Sequence, residues 1–157
     1  MAKAIGVVLG LLALVYWAAG TGEPRSVRPR LLLIGDSIAH RVTQEGVGSL
    51  AVLSETYQVE VVSAPYLYML PLALEAMPDP NFAVVVVCIG YHDKQFGTHD
   101  VTIRKCIDAF QDTIRAPRFV WVDTRNTDEL PRSRVDEIHL SAEGYREFFQ
   151  RLEPVIY

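Results

Sequence analysis

The chain is poor in cysteine, in clustered basic charge and in the glycine patterns that hold phosphate. Its 157 residues include two cysteines, Cys88 and Cys106, too few for a disulfide framework. Cys88 lies in an apolar strand-like run and Cys106 in a helical pattern, so both are expected as free thiols in the core. The 15 Lys and Arg residues are outnumbered by 19 Asp and Glu, for a formal charge of −4. That argues against a nucleic-acid partner, which needs clustered cations against the phosphates. The one small basic cluster is Arg25, Arg28 and Arg30. There is no Gly-x-Gly-x-x-Gly or Walker loop, so a nucleotide site has little support. No His, Cys and Asp group has zinc spacing, and neither metal nor cofactor is expected.

Long apolar runs are present, and the first is N-terminal. From Ala4 to Gly20 no residue is charged, and only Tyr16 and Trp17 carry polar side-chain atoms. The run is shorter than the ~20 residues of a comfortable membrane span and longer than the ~7–15 of a signal-peptide core. Ala18-Ala19-Gly20 would serve as a cleavage site, whereas Tyr16 and Trp17 suit a membrane interface. Residues 1–20 are therefore expected to be a single membrane anchor carrying an extracytoplasmic domain, with a secreted protein after signal cleavage as the alternative. Residues 21–29 form a Gly/Pro/Arg-rich linker, and residues 30–157 form one domain.

Within that domain, strand and helix patterns alternate. Arg30–Ile34, Gln58–Ser63, Phe82–Ile89 and Arg118–Asp123 read as strands. The third has four consecutive valines, and such a run belongs inside a parallel sheet covered on both faces. Ile38, Val42, Leu50 and Leu53 mark a helix reaching about Glu55 and weakened by Gly46 and Gly48. Leu67–Met77 reads as a short helix, Ile103, Ile107, Phe110 and Ile114 as the stripe of a longer one. A last helix follows Ser141, an N-cap, and buries Tyr145, Phe148, Phe149 and Leu152. His40 is expected on a solvated helix face, and His99 at a helix start. The βαβαβαβα order predicts a three-layer α/β/α sandwich with a central parallel sheet.

Three separated stretches carry chemistry: Ile34-Gly35-Asp36-Ser37, Ile89-Gly90-Tyr91-His92-Asp93 and Asp136-Glu137-Ile138-His139-Leu140. Ser37, Ser63 and His92 all fall just past strand C-terminal ends, where α/β sheets bind ligands. A serine hydroxyl needs a base within hydrogen-bond reach, and that base needs an acceptor on its other nitrogen. Ser37, His139 and Asp136 are the residue types for those tasks.

On these motifs the chain, from about Leu31 to Leu152, resembles the SGNH (GDSL) hydrolase superfamily. Gly35-Asp36-Ser37 resembles the nucleophile block, Asp136-x-x-His139 the C-terminal block, and Gly90-Tyr91-His92-Asp93 the Gly-x-Asn-Asp block. The resemblance implies Ser37 as nucleophile, His139 as general base and Asp136 as its orienting partner. It also implies an oxyanion hole from the Ser37 N–H, the residue at 92 and a donor after the second strand. The chain departs from the family twice. His92 stands where Asn is usual, and a neutral imidazole still offers one N–H. The Ser63-Ala64-Pro65-Tyr66-Leu67-Tyr68 block lacks the usual glycine, so the backbone N–H of Ala64, Tyr66 or Tyr68 is the expected donor.

The implied activity is deacylation of short esters, such as O-acetylated carbohydrate, since a domain of this size leaves little room for a long acyl tunnel. An O-acyltransferase with the same chemistry, or a membrane-anchored binding module whose oxyanion site has decayed, are the alternatives. A phosphate-binding flavodoxin-like domain is a third.

Overall fold

The computed structural model describes residues 27–114 and 116–157. The expected anchor or signal and most of the linker lie outside the described residues. Among the described residues, no helix is long and apolar enough to cross a membrane.

Four six-residue strands form one parallel sheet: β1 (Arg30–Gly35), β2 (Gln58–Ser63), β3 (Val84–Ile89) and β4 (Arg118–Asp123), in the order β2-β1-β3-β4. Among the described residues, six α-helices accompany them: α1 (Ser37–Arg41), α2 (Val47–Thr56), α3 (Met69–Glu75), α4 (Tyr91–Gln95), α5 (Asp100–Thr113) and α6 (Ala142–Ile156). A 3-10 turn covers Thr127–Glu129.

The apolar residues explain the layers. In a strand successive side chains point to opposite faces. On one face Leu31, Leu33, Val84, Val86 and Cys88 pack with Ile38 and Val42, with Leu53 of α2, and with Tyr145, Phe148 and Leu152 of α6. On the other, Leu32, Ile34, Val85, Val87 and Ile89 pack with Leu70 of α3 and with Ile103, Ile107 and Phe110 of α5. Every residue of β3 is buried, as a central strand covered on both sides requires. The architecture is the expected three-layer α/β/α sandwich. Cys88 and Cys106 belong to opposite faces of the sheet and are free thiols.

The expected single helix up to Glu55 is instead two, α1 and α2, separated by a turn over 42–46. His40 is exposed, and His99 stands at the N-cap of α5. Ser141 caps α6, its Oγ accepting from the Gly144 N–H at 3.2 Å.

Between β1 and β3 the chain order reverses, because β2 lies on one side of β1 and β3 on the other. That crevice, beyond the carboxyl ends of the strands, is where α/β sheets place ligands. Gly35 makes its wall tight: a Cβ there would lie 1.8 Å from the Cys88 carbonyl oxygen, and φ is +154°. The close approach lets the Asp36 N–H donate to Cys88 O at 2.8 Å. Gly35→Ala is therefore expected to destabilise the domain by more than ~3 kcal/mol, read from the midpoint of denaturant unfolding. A loss under ~1 kcal/mol would mean that β1 and β3 separate without penalty.

Candidate active site

Ser37 is the first residue of α1, two positions beyond the end of β1. Its turn is held by Asp36, which is fully buried. Asp36 Oδ1 accepts the Ile38 N–H at 3.0 Å, capping α1, and Oδ2 accepts the Thr124 hydroxyl at 2.5 Å. Thr124 Oγ1 in turn accepts the Tyr91 N–H at 3.0 Å. One buried carboxylate and one hydroxyl thus tie together the segments following β1, β3 and β4. Burial raises the Asp36 carboxyl above its ordinary value, and the Thr124 hydroxyl is the largest of the contacts opposing that rise.

The sign of this linkage sets a prediction. A raised carboxyl favours the fold below its ordinary value, and that contribution is lost as pH rises through the folded value. Thr124→Val removes the donor to Asp36 and the acceptor for Tyr91, so it should cost about 2–3 kcal/mol at pH 7. The cost should shrink toward pH 4 as Asp36 becomes protonated. Urea unfolding at the two pH values measures this, and an equal cost at both would remove Asp36 from the explanation.

His139 reaches the serine from the far end of the chain. Its Nε2 lies 2.9 Å from Ser37 Oγ, and its Nδ1 lies 2.7 Å from Asp136 Oδ2. Asp136 Oδ1 accepts two backbone N–H bonds, from Ile138 at 3.0 Å and His139 at 2.8 Å. These bonds, with the His139 backbone contact first and its ring second, hold the Asp136 carboxyl far below the usual carboxylate range. An ionised carboxylate only accepts, so the proton of a neutral His139 sits on Nδ1 and leaves Nε2 to accept from the Ser37 hydroxyl. Arg41, one helical turn after Ser37, places a guanidinium nitrogen 3.6 Å from Asp136 Oδ2. It joins the serine's helix to the Asp–His loop.

That loop is rigidly built. The Arg134 guanidinium donates to the carbonyls of Pro131 (3.0 Å), Glu137 (2.7 Å) and Thr127. Arg134 and Leu140 form an antiparallel bridge, and the Val135 N–H donates to His139 O at 2.9 Å. Gly144 lets α6 press against the loop, since a Cβ there would lie 2.1 Å from Ser133 O. The Tyr145 hydroxyl donates to Ile38 O, fastening α6 to α1. Ser37 and His139, 102 residues apart, are thus carried by elements bonded to one another.

On the oxyanion side, one of the three backbone donors expected after β2 is already engaged. Ala64 offers no free donor: its N–H is committed to Gly35 O at 2.6 Å, extending the β1–β2 ladder one step beyond the Gly35–Ser63 pair. Pro65 has no N–H to give. The Leu67 N–H is taken by both oxygens of buried Asp93, each at 3.3 Å; burial raises the Asp93 carboxyl. The Ser37 N–H stands at the first residue of a helix, where no intrahelical acceptor exists. The half-buried His92 ring lies against Tyr66 and Tyr91, at 5.7 and 5.5 Å between centroids. The Ser37 N–H is thus one donor that this edge presents.

Sequence reasoning missed Thr124, Arg41 and Arg134. Thr124 had a signal, since it follows the end of β4 on the same edge as Ser37. Arg41 and Arg134 had none, because both act on partners that only the tertiary fold brings near. Among the described residues no cluster of His, Cys, Asp or Glu could hold a metal ion. No protein-family model matches the chain, and no curated protein or solved structure matches it.

Proposed function

We propose that the protein is a serine-dependent ester hydrolase of the SGNH type, acting on short acyl esters. The observation that supports this most is the continuous chain from Ser37 Oγ through the His139 ring to Asp136 Oδ2, at 2.9 and 2.7 Å. In the acylation step the Ser37 oxygen attacks the acyl carbon while its proton passes to His139 Nε2. The tetrahedral oxyanion collapses, the alkoxy group leaves with that proton, and the acyl group stays on Ser37. Water then attacks the acyl-enzyme, giving its proton to His139. Collapse releases the carboxylic acid and returns the proton to Ser37. Asp136 keeps the ring in the productive tautomer and stabilises the imidazolium that forms. The Ser37 N–H and a His92 ring N–H face the developing oxyanion.

One observation favours a second reading, a binding module that no longer turns over substrate. The Ala64 N–H is engaged in the sheet ladder, and one missing oxyanion donor removes ~2.7–4 kcal/mol of transition-state stabilisation.

Kinetics across p-nitrophenyl esters from acetate to decanoate separate the two. The hydrolase reading expects turnover, greatest for the shortest acyl groups. Folded protein with a flat response across the series would leave the binding module standing.

A further inference from the structure

We infer that Arg41 is a positioning residue for ester cleavage: its ion pair with Asp136 fixes how the serine's helix is turned toward the His139 ring. This rests on the hydrolase reading and names the contact that sets the geometry between Ser37 and His139.

The serine's carrier is short. α1 has five residues, too few to be stable without outside contacts. Ile38, Ala39 and Val42 bury its apolar side, but apolar packing is not directional. The roll of the helix about its axis is left to its polar contacts. Two of these meet at residue 38, where the N–H donates to Asp36 and the carbonyl accepts from Tyr145. Neither reaches the last turn.

Asp136 and His139 are bonded to each other and to their own backbone, so they move as a unit. Those bonds do not hold the unit against α1. Among the described residues, two polar side-chain contacts do: Ser37 Oγ to His139 Nε2 at 2.9 Å, and an Arg41 guanidinium nitrogen to Asp136 Oδ2 at 3.6 Å. Ser37 and Arg41 are four positions apart and share one helix face. A single contact is a pivot. A second one, about 6 Å along the helix, stops rotation about it. Oδ2 also faces His139 Nδ1, so Arg41 acts on the atom that orients the ring.

The guanidinium is free for this task, since among the described residues it makes no other ion pair and donates no hydrogen bond. Asp136 and Ser37 bond opposite nitrogens of the ring. A cation against Asp136 therefore stands behind His139, whereas the attacked carbon lies at the serine. The side chains of the pair are 34% and 44% exposed, and such pairs add little to fold stability. Small displacements of reacting groups, by contrast, cost heavily in rate.

The test uses the full chain with p-nitrophenyl acetate. Arg41→Met keeps an unbranched stem without the charge, and should lower kcat about tenfold with KM within about twofold of the parent. Its urea midpoint should match the parent's. Arg41→Lys should recover kcat to within about threefold, because a contact through one nitrogen needs a charge rather than a planar fork. An unaltered kcat in Arg41→Met, or a loss that Arg41→Lys leaves unrestored, would overturn the inference. So would a change in KM alone, which would put the guanidinium on the substrate.

Ring-nitrogen NMR on protein with isotope-labelled histidine needs no ester, and so separates this idea from the hydrolase reading. The His139 signals, identified by their loss in His139→Ala, should shift or broaden in Arg41→Met and return in Arg41→Lys. If no ester turns over, these signals alone decide the inference. His139 signals unmoved in Arg41→Met count against it even if esters are cleaved.

Discussion

Ser37→Ala is expected to lower kcat for ester hydrolysis by about 10⁵–10⁶-fold while leaving the unfolding midpoint within ~0.5 kcal/mol of the parent. The size follows from the site's geometry. The Ser37 oxygen is the atom that His139 Nε2 faces at 2.9 Å, and its removal leaves only binding and oxyanion contacts, worth about 10³–10⁴ over water. Stability is preserved because the turn is held by Asp36 and Thr124 rather than by the Ser37 hydroxyl. His139→Ala should cost about as much, and the double variant little more than either alone, since the pair acts as a unit. Additive losses in the double variant would show two independent roles.

Asp136→Asn should lower kcat about 10⁴-fold with the fold intact, through a tautomer that the loop enforces. The backbone N–H groups of Ile138 and His139 both point at Oδ1, so the asparagine carbonyl must occupy that position. Its NH₂ group then faces His139 Nδ1, where a carboxylate oxygen now accepts. Two donors cannot face each other, so the ring must carry its proton on Nε2 and loses the lone pair that Ser37 needs. Asp136→Ala lacks that enforced mismatch and should retain more activity than Asp136→Asn. The order of the two kcat values tests the tautomer argument, and the reverse order contradicts it.

The pH behaviour follows from the same contacts. A carboxyl held far below its ordinary value contributes stability above the ordinary range, lost only as pH falls through the depressed folded value. Asp136 therefore stays ionised under mildly acidic conditions, and any loss of activity there comes from another group. Asp36 runs the other way, its charge being least favourable at high pH.

The sheet was legible because its two central strands, β1 and β3, are apolar runs buried on both faces and its edge strands are rich in valine. Gln58–Ser63 and Arg118–Asp123 stand at their expected bounds, and Val84–Ile89 sits in the centre as its valines require. The break between α1 and α2 was less legible, since Ile38, Val42 and Leu53 face one core whether or not the helix is continuous. Ser37, His139 and Asp136 were readable as residue types at strand and helix ends. The Ala64 donor was not: whether an N–H is free depends on how far the β1–β2 ladder runs. Asp36 with Thr124, 88 residues apart, and Arg134 with its three carbonyls are products of tertiary assembly, which no local spacing encodes.

The most direct test of the central claim is intact-mass and peptide-mapping analysis after treatment with a fluorophosphonate, which reacts with an activated serine hydroxyl. One adduct per chain, located on Ser37 and lost in His139→Ala, is the predicted result. A folded protein that takes up no adduct, or carries it on a different serine, would contradict the account.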